Sequence, residues 1–191
     1  MSRFIKILLV SSILSLASAH AAGKPKSFEK QTLAEKYLSA NEAHNLKQQQ
    51  GSKVLFVDVR TPSELVFVGS PKGMDANIPL VRIDYKHWDN IYSSFSKTPN
   101  LEFLSAFNNL ISAKNLTKDT PIILLCRSGK RSAKAANLLT SAGYSNVFSV
   151  IDGFEGDKAK LGNEKGKRVV NGWKNAGLPW TYKLERNRLD L

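Results

Sequence analysis

Pro121-Ile122-Ile123-Leu124-Leu125-Cys126-Arg127-Ser128-Gly129-Lys130-Arg131-Ser132 decides how this chain reads. Residues 121–125 form an apolar, β-rich run that predicts a strand buried on both faces, and a helical pattern begins near Arg131. Between them lies a glycine-containing turn with three cations. A strand that hands a side chain to such a turn places it where successive N–H groups and the positive end of the helix converge. The side chain so placed is Cys126, the single cysteine among 191 residues. These surroundings favour thiolate over thiol, and the thiolate is the nucleophilic form. A buried, inert cysteine is the commoner fate of a lone Cys. The adjoining cations and glycine favour chemistry instead.

Outward from this stretch, strands and helices alternate. Val54-Leu55-Phe56-Val57-Asp58-Val59 predicts a central parallel strand, and Thr61-Pro62-Ser63-Glu64 predicts the capped start of a helix. Upstream, a short strand at residues 36–38 precedes the capping box Ser39-Ala40-Asn41-Glu42, whose helix stops at Gly51. Residues 78–83 predict a strand whose early Pro79 marks an edge or a strand start. Residues 84–100 carry Tyr85, Trp88, Tyr92 and Phe95 without a period and are expected to be an insert whose aromatics pack. Leu101, Leu104, Phe107, Leu110 and Ile111 predict a helix with one buried face, and Ala133, Ala136, Leu138 and Leu139 do the same for residues 132–143. A last strand is expected at residues 146–151, and the aromatic segment around Trp173 and Trp180 should cover the domain. The alternation argues an α/β fold with a mostly parallel central sheet flanked by helices, its site at the carboxyl ends of the strands.

The ends of the chain bound its setting. Arg3 and Lys6 precede a ten-residue apolar core, residues 7–16, and small residues follow up to Ala22. Residues 1–22 therefore read as a secretory signal peptide, too short for a membrane span, with cleavage after Ala19, Ala21 or Ala22. Export to a periplasm or beyond is expected, with no stable membrane insertion. Residues 23–34 read as an extended lead-in, 35–183 as a single domain and 184–191 as a polar tail. The formal charge of +12 loses two cations with the leader, leaving about +10. Small anions are the natural partners of such a surface. Nucleic acid is not, because the cations are scattered and no basic helix is interleaved with aromatics. His20, His44 and His87 are too few and too scattered for a metal site.

Asp58-Val59-Arg60-Thr61-Pro62-Ser63-Glu64, the Cys126 loop, and Ala142-Gly143-Tyr144 before Val147 together closely resemble the rhodanese family over roughly residues 35–155. The segment Gly172-Trp173 to Ala176-Gly177-Leu178-Pro179-Trp180 also looks like the end of exported single-domain members. The resemblance implies a rhodanese-like three-layer fold and sulfurtransferase chemistry. Cys126 would take the outer sulfur of thiosulfate or a similar small anionic donor as a persulfide, and a thiol or cyanide-like acceptor would remove it. N–H groups from Arg127, Ser128, Gly129, Lys130, Arg131 and Ser132 would hold the sulfur, while Arg127, Lys130 and Arg131 would orient the donor. It implies no metal and no organic cofactor. Asp58 and Arg60 are read as structural supports, with Glu64 pairing Arg60 four residues away.

Two features narrow the reading. Cysteine phosphatases need a C-x5-R loop, whereas Arg131 closes a C-x4-R loop, one residue short of a phosphate ring. Gly69 to Pro79 lacks the His and Ile of the family's usual G-H-I-x-G-A-x-N-I-P stretch, and Asp152-Gly153-Phe154-Glu155-Gly156 stands where the family commonly has Gly-Gly. The pocket rim is therefore expected to be this chain's own. The competing function is a rhodanese-fold binding or accessory module for a periplasmic protein partner. Thiol redox exchange lacks a resolving cysteine in the chain.

Overall fold

The computed structural model describes residues 22–190. The expected leader, apart from Ala22, lies outside the described residues. A single helical turn at Phe28–Lys30 leads to strand β1, Tyr37–Leu38. Helix α1, Ala40–Gln50, starts from a reciprocal cap: Ser39 Oγ accepts from Glu42 N, and the Glu42 carboxylate accepts from Ser39 N at 2.7 Å. Strand β2, Leu55–Asp58, is followed by α2, Pro62–Val68, capped by Thr61 and Glu64 with proline at the first turn, where its missing N–H is no loss. Short strands β3, Ser70–Pro71, and β4, Ala76–Asn77, precede the long pair β5, Val81–Asp89, and β6, Ser94–Pro99. Then come α3, Phe103–Ala113, β7, Ile122–Leu125, α4, Lys130–Ser141, β8, Val147–Val150, and finally β9, Trp180–Thr181.

Five strands form the central sheet in the order β1-β8-β7-β2-β4, all paired parallel. Successive side chains of a strand face opposite ways, so an unbroken apolar run feeds two cores. Leu55, Val57, Ile122 and Leu124 pack with Phe107, Ala136 and Leu139 from α3 and α4. Phe56, Ile123, Leu125 and Val150 pack with Ala43 of α1, Leu65 of α2, Phe154 and Trp173. The result is three layers. In β2 and β7, Asp58 stands opposite Leu125, so the two strands end level and release their following residues side by side.

The carboxy-terminal segment covers the second core. Trp173 is 0% exposed, lies 5.3 Å from the Phe56 ring and donates from Nε1 to Pro179 O at 2.9 Å. Strand β9 then pairs antiparallel with β3, and Leu189 bridges Asn77 at the free edge of β4. An edge that would otherwise offer unpaired N–H and C=O groups is thus occupied.

Three expectations need correction. The strand expected at residues 78–83 is divided: β4 ends at Asn77, and Val81 opens a separate antiparallel hairpin with β6. Pro79 has no N–H for the ladder, and past Asn77 the chain holds to the β2 end by separate bonds, Ile78 N to Asp58 O, Leu80 N to Val59 O, and the Asn77 side chain to Asp58 O and Arg60 O. The aromatics of residues 84–100 do not enter the core. They stack on one another across the hairpin, Tyr85 on Phe95 at 5.2 Å and Trp88 on Phe95 at 5.6 Å, while Tyr92 at the tip is 78% exposed. Leu101 and Leu138 are also exposed. Leu101 precedes the first turn of α3, and Leu138 lies off the buried face of α4, where Ala135 packs instead.

Replacing Trp173 with Ala should destabilise the fold by about 3–5 kcal/mol, because it opens a large cavity beneath Phe56. Urea unfolding followed by far-UV circular dichroism checks this; a loss below about 1 kcal/mol would show that the carboxy-terminal segment is only loosely attached.

Candidate active site

Cys126 is the first residue after β7, and the turn that follows is closed by Gly129, which caps α4 with φ 91°. Gly129 N donates to Cys126 Sγ at 3.2 Å, and the thiol lies 3.5 Å from Ser132 Oγ. Ser132 is fixed in turn: its hydroxyl donates to Gly129 O at 3.0 Å and receives one from Ser149 at 3.0 Å. Cys126 is 0% exposed. Among the described residues, Gly129 supplies the one amide N–H on the sulfur.

The turn is held from behind by the segment after β8. Phe154 N donates to Cys126 O at 2.7 Å, and Glu155 N and Gly156 N both donate to Arg127 O, at 3.0 and 3.2 Å. Backbone lies directly on backbone. A Cβ at Gly129 would collide with the Ile151 carbonyl, and one at Gly153, φ 68°, would collide with Ser128 N. Both positions also have the positive φ that side chains resist, so glycine is required twice over.

The loop cations divide sharply. Arg131 grips Glu64 through both terminal guanidinium nitrogens, Nη1 and Nη2, at 2.7 and 2.5 Å. Glu64 also accepts from Thr61 N at 3.0 Å, so one carboxylate caps α2 and ties it to α4. Burial alone would raise the Glu64 pKa, but the Arg131 hydrogen bonds and charge, with Thr61 N and Arg60 assisting, hold it at about 2. Arg131 is pushed down by burial and, more strongly, up by Glu64. Lys130 pairs with Glu29 on the surface. Arg127 is exposed and makes no ion pair among the described residues.

This corrects the expected pairing of Glu64 with Arg60. Arg60 and Asp58 are fully buried and pair with each other, Nε to both carboxylate oxygens at 3.0 Å and Nη2 to Oδ2 at 2.6 Å. Nη2 also donates to Gly69 O at 2.9 Å, and the guanidinium lies 4.0 Å over the Phe154 ring. Four residues along α2 would bring Arg60 and Glu64 together only if Arg60 were helical. It precedes the Thr61 cap and turns inward. His87 stands on the hairpin, largely exposed and bonded to Asp84 at 2.6 Å. A groove of about 850 Å³ is lined by Lys30, Asp152, Asp157 and Lys158 among others, and Cys126 does not line it.

Two cations from elsewhere approach the Cys126 loop. Lys97 of β6 is pushed down by partial burial and then by the charges of Arg131 and Arg127, with Glu64 opposing. Arg168, beyond the last expected motif, is pushed down by burial and then by Arg127, with the Glu155, Asp157 and Cys126 charges opposing. Neither was signalled by any spacing in the sequence. The hairpin lacks a period, and residue 168 lies in a glycine- and charge-rich loop.

A family model described as Rhodanese-like domain matches residues 39–160. A protein of Rickettsia prowazekii that bears the description uncharacterized is 36% identical over 135 residues, covering 69% of this chain and 85% of its own. A thiosulfate sulfurtransferase of Tolumonas auensis is 46% identical over 43 residues, 22% of this chain and 41% of its own. Among solved structures, a protein from M. tuberculosis superposes with a TM-score of 0.56 at 30% identity, covering 77% of this chain and 97% of its own.

Replacing Glu64 with Gln should cost about 1.5–3 kcal/mol at pH 7, since Arg131 loses a charged, hydrogen-bonded partner. The sign follows from the lowered carboxyl. Ionised Glu64 stabilises the fold fully above the unfolded-state value of about 4.3 and loses that contribution as pH falls through about 2. Denaturant unfolding between pH 2 and 7 should therefore be flatter for the Gln variant at the acid end; an unchanged slope would refute the pairing.

Proposed function

The chain belongs to the rhodanese-like family, a sulfurtransferase-like family, and from that premise we propose that it moves a sulfane sulfur from thiosulfate or a similar donor to a thiophilic acceptor through a persulfide on Cys126. The Cys126 sulfur attacks the outer sulfur of thiosulfate. A new S–S bond forms, the old one breaks, and its electron pair leaves with sulfite. An acceptor thiol or cyanide then attacks the outer sulfur, and the bond pair returns to Cys126 as thiolate. The two half-reactions balance without an external oxidant or reductant.

The observation that carries this reading is the seat of Cys126: level with the end of β2, with the Gly129 N–H on its sulfur, in a turn one residue too short to ring a phosphate. A preorganised N–H donor stabilises negative charge on sulfur most where water is excluded, and Cys126 is buried. The Ser132 hydroxyl beside the thiol accepts from Ser149 and donates to Gly129 O, so its oxygen holds position as charge moves between the two sulfurs.

A second reading, a binding module for a protein partner, is favoured by one observation. The hairpin exposes Tyr85, Trp88, Ile91 and Tyr92 together. Sulfur transfer requires Cys126, whereas partner binding by the hairpin does not. We place the protein in a periplasm or outside the cell on the strength of its leader-like residues 1–22.

Incubation with thiosulfate should add about 32 Da, one sulfur, to the intact mass; cyanide should remove it, and Cys126→Ala should never acquire it. No adduct on reduced protein would leave the binding-module reading. The exported protein should begin at His20, Ala22 or Gly23, as amino-terminal sequencing of the secreted or periplasmic fraction will show; an intact Met1 there would overturn the leader.

A further inference from the structure

Binding a dianion beside a buried sulfur calls for more positive charge than the Cys126 loop can spare. Arg131 is committed to Glu64 and Lys130 to Glu29, which leaves Arg127. The sulfurtransferase reading, on which this inference rests, therefore needs cations from outside the loop.

The hairpin brings one. Lys97 pairs across from Ile83, and Phe95, two residues away, shares its face of β6. Tyr85 packs edge-on against that same Phe95, and its hydroxyl lies 3.3 Å from Ser63 Oγ. Phe95 and, on the same face, the exposed Lys97 are thus tied through Tyr85 to the first turn of α2, whose Glu64 holds Arg131. Arg168 comes from another direction. Its Nη1 donates to Gly156 O at 2.5 Å, and Gly156 N donates to Arg127 O at 3.2 Å, so its guanidinium is one peptide removed from the Cys126 turn. Neither Lys97 nor Arg168 has an ion-pair partner among the described residues. Like charges brought near one another repel, and an anion between them reverses the sign.

We propose that Lys97 and Arg168, carried by two segments outside the Cys126 loop, are the donor-binding cations, which with Arg127 hold the sulfonate end of a dianionic sulfur donor such as thiosulfate. Both cations gain from the anion and neither reacts, so they govern how tightly the donor binds and which donors are accepted. The burial and the repulsion by Arg127, joined at Lys97 by Arg131, that push both groups down from their ordinary values accord with this placement.

Calorimetric titration of thiosulfate into the full chain carrying Cys126→Ala, beside timed persulfide formation in the Cys126 protein, tests the assignment. Lys97→Met and Arg168→Met should each weaken thiosulfate binding about tenfold and slow persulfide formation to the same degree. Lys97→Arg and Arg168→Lys, which retain the charge, should stay within about threefold, and thermal unfolding should show every variant folded. Binding and rate both unchanged in the two Met variants would overturn the assignment while leaving sulfur transfer standing. Cation-dependent binding without any persulfide would sustain the anion site and overturn the sulfurtransferase reading.

Discussion

Backbone pressed on backbone, with no room for a side chain between, is the constraint on which the site rests. The turn after β7 and the turn after β8 lie against each other at Gly129 and Gly153, and three hydrogen bonds from residues 154–156 lock the carbonyls of Cys126 and Arg127. With those carbonyls held, the loop amides are left to face the other way. Gly129 N then meets the sulfur. Neighbouring parallel strands end level, so this contact is a consequence of sheet register as much as of loop sequence.

Charge is apportioned around that seat with little redundancy. Buried Asp58 and Arg60 neutralise each other and hold the start of the α2 turn to Gly69, while the Phe154 ring offers its negative face to the guanidinium. A buried pair of this kind is weak evidence for stability by itself, but its geometry fixes where the chain leaves β2. Glu64 and Arg131 then join α2 to α4 across the mouth of the loop. Once these pairs are formed, Arg127 is left without an ion-pair partner in the loop among the described residues, and the proposed donor cations come from the hairpin and the carboxy-terminal segment.

Those two segments also complete the fold. The carboxy-terminal stretch seals the second core with Trp173 and shields the β4 edge with Leu189, and it carries Arg168 toward the loop. The hairpin has no core of its own. Its aromatics stack across strands, and its hold on the domain includes the Tyr85–Ser63 contact. A two-stranded ribbon is marginal alone, so this attachment matters to where Lys97 sits.

Local chemistry determined the central elements: the apolar runs of β2 and β7, the caps at Ser39 and Thr61, and the strand-turn-helix that presents Cys126 were all legible because neighbours in the chain decide them. The Asp58–Glu64 segment, the Cys126 loop and Ala142-Gly143-Tyr144 likewise carried the family resemblance, and the C-x4-R spacing set aside a phosphate ring. Tertiary structure alone decided which carboxylate holds which cation. Helical spacing suggested Glu64 for Arg60, yet Arg60 precedes the cap and turns into the core, leaving Glu64 for Arg131, 67 residues away. It also decided that the aromatics at residues 85–95 are exposed, since hydrophobicity without a period does not say which side of a strand meets solvent. Lys97 and Arg168 were invisible for the same reason: their nearness to the loop is set by hairpin register and by the packing of the tail, and neither leaves a mark in the spacing of the sequence.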